Sequence, residues 1–233
     1  MAFHFQKPVG FSFKPGQFVE LTLLHSSETD HEGNRREFSI ASAPHEENIM
    51  IVTRSRASAM KRTLTTMPLG TEVLLDGPYG DFVLRRNATR PAVFLTGGIG
   101  ITPFRSMVVS AAHEKLSHKI FLFCANRRPE DAPFLEELRA LESENPNYRF
   151  IPTMTRLGDV DDAWQGERGH ITKEMLLRHV PPYLEVRRGE PDINGPLYSV
   201  AGPQRMVAAM RAMLNAAGVD DDDIRTEEFS GYQ

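Results

Sequence analysis

LTGGIGITP, residues 95–103, decides the fold: an apolar run meets Gly97, Gly98 and Gly100, and Thr102 and Pro103 follow at once. The pattern reads as a buried strand, a tight turn and a helix start. Glycine has no Cβ, so the backbone can bend sharply and bring its N–H groups close to a diphosphate. Thr102 is a favourable N-cap and Pro103 a favourable first helical residue, which aims the helix's free amides and positive dipole end at the same point. The stretch departs from G-x-G-x-x-G: counted from Gly98, Gly100 falls correctly and Pro103 stands where the third glycine belongs. A glycine turn that merely joins strand to helix is the plain alternative, and the surrounding chain decides between the two.

Downstream, strands alternate with amphipathic helices. AVFLT leads into a helix over 102–113, KIFLFCA into one over 132–143, and YRFIPTM into a loop and a shorter helix over 172–179. PLYSVAG precedes the clearest helix, in which Met206, Val207, Met210, Met213, Leu214 and Ala217 keep helical spacing and Gly218 marks the end. DIRTEEF reads as a final or edge strand. Four strand–helix units and a fifth strand build a doubly wound, five-stranded parallel sheet with right-handed crossovers. Ligands of such sheets bind beyond the carboxyl ends of the strands. The Gly97 turn and Ala201-Gly202-Pro203 both fall there, so a dinucleotide is the expected ligand.

Upstream, from residue 17 to about 84, the apolar runs are short: QFVELTLL, REFSIAS, NIMIVTR, TEVLLDG and DFVL. Turn formers separate them, among them Pro15-Gly16, Gly33-Asn34, Gly70 and Gly77-Pro78-Tyr79-Gly80. That is the rhythm of a small antiparallel β-barrel, with Gly77 to Gly80 as a hairpin turn before a last strand. Ser58 caps a short helix over 58–64, where Met60, Leu64 and Met67 lie three to four apart. The change of period near 85–91 divides the chain into two domains, 1–88 and 89–233.

The 233 residues, 40 % of them hydrophobic, suffice for ordinary cores, and a net charge of -4 argues against nucleic acid as a partner. The basic pairs Arg35-Arg36, Lys61-Arg62, Arg85-Arg86 and Arg127-Arg128 read as solvated surface. Cys124, the single cysteine, excludes an internal disulfide and a cysteine-ligated iron–sulfur cluster within the chain, and lies in an apolar run as a buried structural thiol. The eight histidines show no H-x-x-x-H or H-x-x-H spacing, and residues 220–223, all Asp, read as a solvated loop, so no metal site is expected. No stretch approaches 20 apolar residues and no signal sequence is evident, so no membrane partner and a cytoplasmic location are expected.

With a barrel first and a nucleotide-binding sheet second, R-E-F-S-I-A-S, residues 36–42, resembles the flavin-binding signature R-x-Y-S-x-x-S of the ferredoxin-NADP reductase superfamily. GGIGITP from Gly97, ANRRPEDAPFLEEL from Ala125, AGPQRM from Ala201 and EEFSGY from Glu227 follow in that family's order and spacing, so the resemblance covers nearly the whole chain. It implies FAD in the cleft between the domains, reduced by NADPH or NADH. Arg36 would pair with the FAD diphosphate, Phe38 stack on the flavin without the phenolic hydrogen bond of the family's tyrosine, and Ser39 place its hydroxyl near flavin N5. Ile51, Val52, Thr53 and Arg54 match the strand lining the flavin's pyrimidine side, largely through backbone groups, with Arg54 stabilising charge on the reduced ring. Ser58, Ala59, Met60 and Lys61 would face the FAD diphosphate.

In the second domain the resemblance gives Gly97, Gly98, Gly100, Thr102 and Pro103 to the NAD(P) diphosphate, and Asn126 and Arg127, with Arg128, to the ribose end. Those basic residues favour NADPH, while Glu130 and Asp131 have an equally plain use as caps of the next helix. Gly202, Pro203 and Met206 would serve the nicotinamide, and Ala201 replaces the family's cysteine, which puts in doubt fast transfer to the flavin, not the fold. Glu228, Phe229 and Tyr232 resemble residues on the flavin's nicotinamide-facing side, where an aromatic covers the ring. Relatives carry a further strand before residue 2, so the barrel is expected to lack one strand or to have a trimmed start. The implied function is a stand-alone flavoprotein reductase passing electrons to a separate acceptor such as ferredoxin, flavodoxin, a haem protein or free flavin. A nucleotide-binding regulatory or scaffold subunit with little turnover, and a reductase of free flavin, are the alternatives.

Overall fold

The computed structural model describes residues 1–24, 26, 28–31, 33–54, 58–158, 163–180 and 195–229. Its first strands are β1 (Ala2–Gln6), β2 (Phe18–Leu23), β3 (Arg35–Ser39) and β4 (Asn48–Val52), followed by the short helix α1 (Ala59–Thr66) and β5 (Val73–Tyr79). β1 pairs antiparallel with β4, while β2 is flanked antiparallel by β3 and β5. The two sheets close on one apolar core of Phe13, Val19, Leu21, Leu23, Ile40, Ile49 and Ile51, capped by Met60 and Leu64 of α1. Alternation along β2 puts Val19, Leu21 and Leu23 inward, and each side chain so buried is worth about 1.5–3 kcal/mol. Ser58 caps α1 as expected, its hydroxyl accepting from the Lys61 amide at 3.3 Å.

Two expectations for this half fail. DFVL is not a strand, and Gly77 to Gly80 is not a hairpin. β5 runs on through Gly77 and Pro78, with the register to β2 shifting between Phe18 and Glu20. Gly77 has φ +138° and Pro78 has no N–H to offer the ladder, so the segment bulges within the strand. Phe82 and Leu84 then leave the first core altogether and pack into the second, Phe82 lying edge-on to Phe104 at 5.6 Å between centroids. Gly16 is required beneath them, because a Cβ there would strike the Phe82 carbonyl and the end of Met107.

The second half holds β6 (Ala92–Gly97), a 3-10 turn (Gly98–Gly100), α2 (Ile101–His113), β7 (Ile120–Asn126), a second 3-10 turn (Pro129–Asp131), α3 (Leu135–Glu144) and β8 (Tyr148–Met154). It continues with β9 (Glu167–Arg168), α4 (Lys173–His179), β10 (Leu197–Pro203), α5 (Gln204–Ala216), a third 3-10 turn (Asp221–Asp223) and β11 (Ile224–Phe229). The parallel sheet has the order β11-β10-β6-β7-β8-β9. It therefore carries six strands where five are expected, the addition being the two-residue β9, too short to leave an apolar signature. α2 and α3 cover one face of the sheet and α4 and α5 the other, each layer with its own buried cluster. β11 closes the sheet as an edge strand. No helix among the described residues is long and apolar enough to cross a membrane.

Candidate functional site

The central strands β10, β6 and β7 are almost wholly buried, and their carboxyl ends bring Ala201 to Pro203, Gly97 and Asn126 to one edge. A Cβ on Gly97 would meet Met206 Sδ at 2.5 Å, and one on Gly100 would strike the Ala201 carbonyl and lie 2.8 Å from Gly202 Cα. The glycine turn and the Ala201 turn are thus packed back to back. Gly98 adopts φ +58°, and the space of its missing Cβ is taken by the guanidinium of Arg54 from the first half of the chain. Thr102 and Pro103 are buried, and Thr102 is not the N-cap: winding starts at Gly98, and its hydroxyl donates back to the Ile99 carbonyl at 3.1 Å. Asn126 is buried, donating to Cys124 Sγ at 3.2 Å, whereas Arg127 and Arg128 are exposed at the end of β7. Cys124 is a buried thiol, and burial pushes it up to about 12. Glu130 and Asp131 form their own 3-10 turn, and α3 starts later than expected, behind Phe134 at φ +61°.

On the opposite side, Arg36 bonds Asp30 Oδ1 at 2.8 Å and the carbonyls of Gly33 and Arg35. Phe38 is half-buried against the first core. Ser39 is buried, and its hydroxyl has no hydrogen-bond partner among the described residues. Ile51, Val52 and Thr53 are buried, and β1 takes the backbone groups on one edge of β4 while those of Val52 point to the other. β1 pairs along β4, and Thr53 exchanges both backbone bonds with Met1, at 3.0 and 2.9 Å. Arg54 is exposed. Ala59 and Met60 are buried, Ser58 and Lys61 half-buried, and the Ala59 amide donates to Asp30 Oδ2 at 3.2 Å.

Contacts between the halves bring these two groups of residues together. Ile99 of the glycine turn packs with Ala41, Met50 and Val52 in one buried cluster. From α2, Arg105 donates to the Ala41 carbonyl at 2.8 Å and forks onto Glu46 and Glu137, while Ser106 donates to the Ser42 carbonyl at 2.7 Å. Burial works against charge on Glu46, but the Arg105 guanidinium and the Ala43 amide outweigh it and hold its carboxyl below the usual range. Beside them the imidazoles of His45 and His113 stack at 3.7 Å. Helix α2, which leaves the glycine turn, is thereby bonded to the Ala41-Ser42 end of the R-E-F-S-I-A-S strand.

At the end of β11, Phe229 is half-buried against the sheet's core, and Tyr232 lies outside the described residues. Glu228 is exposed. Its neighbour Glu227 turns inward instead, with one carboxylate oxygen buried and unpartnered among the described residues. Burial, with Glu37 and Asp81 nearby, raises its carboxyl to about 7. Sequence reasoning singled out Glu228 and not the inward-turned Glu227; the alternation of β11 from the buried Ile224 does not by itself say which acid faces the barrel. The basic pairs are largely met within the chain: Arg35 by the carboxylates of Glu20 and Asp76, Arg62 by that of Glu28, and Arg85 by the backbone carbonyl of Asp222. No group of three potential metal ligands occurs among the described residues.

Residues 94–212 match the family model of the oxidoreductase NAD-binding domain. The chain is 29 % identical over 226 residues to the glycine betaine monooxygenase reductase subunit of Chromohalobacter salexigens, covering 96 % of this chain and 58 % of that protein. It is 28 % identical over 223 residues to ferredoxin–NADP reductase B of Sorangium cellulosum, covering 94 % of this chain and 86 % of that one. Among solved structures, a ferredoxin NADP+ reductase from Neisseria gonorrhoeae with bound FAD and NADP superposes with a TM-score of 0.72 at 22 % identity, over 97 % of this chain and 91 % of that one. A family match over half the chain, the antiparallel and parallel halves in this order, and relatives along nearly its full length agree: the chain belongs to the oxidoreductase NAD-binding-domain family, within the ferredoxin-NADP reductase superfamily.

Proposed function

We propose that the chain is a flavin-dependent NAD(P)H oxidoreductase, holding FAD on residues 1–88 and the pyridine nucleotide on residues 89–233, and passing electrons to a separate redox protein. Ser39 carries the reading. A buried hydroxyl without a partner costs about 1–3 kcal/mol, and this one lies in the strand whose next residues are bonded to α2. A flavin ring nitrogen would satisfy it. When bound, the flavin accepts two electrons from NAD(P)H and releases them one at a time.

The chain's residues position the partners. Arg36 and the first turn of α1 serve the flavin's diphosphate, and Phe38 and Arg54 its ring. The amides of Gly97 to Gly100, with Arg54 against Gly98, would serve the nucleotide's diphosphate, and Gly202, Pro203 and Met206 its nicotinamide. Arg127 and Arg128 favour NADPH as donor. Glu227, its carboxyl raised to about 7, can hold and release a proton near neutral pH on the barrel side of β11, and Phe229 covers the ring. The relatives named as a monooxygenase reductase subunit and a ferredoxin–NADP reductase support a protein acceptor, ferredoxin-like, flavodoxin-like or an oxygenase component. In the test, FAD-loaded protein is titrated anaerobically with NADPH and then NADH. The flavin's visible absorbance should bleach, at lower concentration with NADPH; a protein that binds nucleotide without bleaching supports the scaffold alternative instead.

A further inference from the structure

We propose that Asp30 is a built-in competitor for the flavin's diphosphate, so that the chain holds FAD exchangeably. The inference rests on the flavin reading above. Two donors make the diphosphate cradle in that reading, the Arg36 guanidinium and the amides opening α1, and one side chain grips both. Asp30 Oδ1 accepts from Arg36 at 2.8 Å, and Oδ2 accepts from the Ala59 amide at 3.2 Å. A carboxylate spanning a guanidinium and a helix-opening amide makes the contacts that phosphate oxygens would make at the same atoms.

Asp30 does not stand there alone. Two residues earlier Glu28 accepts from Arg62 on the same helix at 2.6 Å, and Ser26 lies 3.3 Å from the Thr63 hydroxyl, so Ser26, Glu28 and Asp30 together form a strap on α1. Its return is set by Gly33, at φ +76°, whose amide bonds the Asp30 carbonyl at 2.9 Å. A diphosphate reaching Arg36 and Ala59 must break two charge-assisted bonds and repel a carboxylate. Phe38, lacking a phenolic hydroxyl, returns no hydrogen bond in exchange. Asp30 thus weakens retention without touching the surface that receives the flavin ring.

FAD binding to the purified full chain, followed by quenching of flavin fluorescence, decides the matter. Asp30→Asn keeps an oxygen for the Ala59 amide and removes the charge that holds Arg36; it should tighten FAD about tenfold or more. ADP, which carries the diphosphate without the flavin, should gain by a similar factor in calorimetry, and riboflavin, which has none, should be unchanged. Unaltered or weaker FAD binding by a folded Asp30→Asn chain overturns the proposal, as does an equal gain for riboflavin. If that variant does not fold, Glu28→Gln loosens the strap from outside the cradle and should tighten FAD by a smaller factor; no change there is equally fatal. Absence of FAD and riboflavin binding in all chains strikes the flavin reading itself, and the inference with it.

Discussion

Glu227 and Gly98 show what a single residue decides. Glu227 has an ordinary value near 4.5 and a folded value near 7, so the fold prefers its neutral form. Its penalty is absent below about pH 4.5, grows as pH rises through that window and is complete above 7. Glu227→Gln should therefore leave stability unchanged at pH 4 and raise it by up to about 3 kcal/mol at pH 8, read by urea unfolding at both values. Gly98→Ala meets two obstacles, a left-handed backbone and the Arg54 guanidinium against its Cα. It should cost about 1–2 kcal/mol and weaken NADPH binding by displacing Arg54, which calorimetry would detect. Residue identity was readable where chemistry is written in the residue type: three glycines, a lone buried cysteine, a capping serine. It was unreadable where direction decides, as in Glu227 against Glu228, Asn126 turned inward to Cys124, and Thr102 bonded backward to Ile99.

At the scale of elements, α2 contributes most to the site because it belongs to one half of the chain and bonds the other. Arg105 is a buried cation with two carboxylates and a carbonyl around it, in van der Waals reach of Phe134, whose ring centroid is 5.0 Å away. Removing it leaves Glu46 and Glu137 facing each other without their cation. Arg105→Ala should lose about 3–5 kcal/mol in thermal or chemical unfolding, far more than Arg139→Ala, whose pairing with Glu136 is exposed. Helices and long strands were legible because their apolar periods run for several turns; α4, α5 and β6 to β8 lie within a few residues of expectation. β9 has two residues and no period to read. β1 repeats Phe at alternate positions, yet its partner β4 lies more than forty residues away, and only that pairing makes it a strand. DFVL has the period of a strand and no partner, since Phe82 is claimed by Phe104.

In the whole molecule, two cores meet along a seam of Ala41, Met50, Val52 and Ile99, stitched by Arg105 and Ser106. The order of the cores was legible because antiparallel and parallel sheets impose different periods; the seam was not, because its contacts join residues far apart in the chain, 64 positions for each of its two hydrogen bonds from α2 to the backbone. If 1–88 and 89–233 are domains, as we propose, the pieces expressed separately should bind one another, and Arg105→Ala should abolish their co-purification. The stacked rings of His45 and His113 give that seam a gauge of its own. Burial and the neighbouring His113 hold the His45 imidazole below its ordinary value, against the pull of Glu46 and Glu114. A histidine depressed in this way supports the folded state above about pH 6.5 and withdraws that support as protons arrive. Acidification should thus weaken the joint, and the imidazole C–H resonances of His45 would record the change of its surroundings as the pH falls.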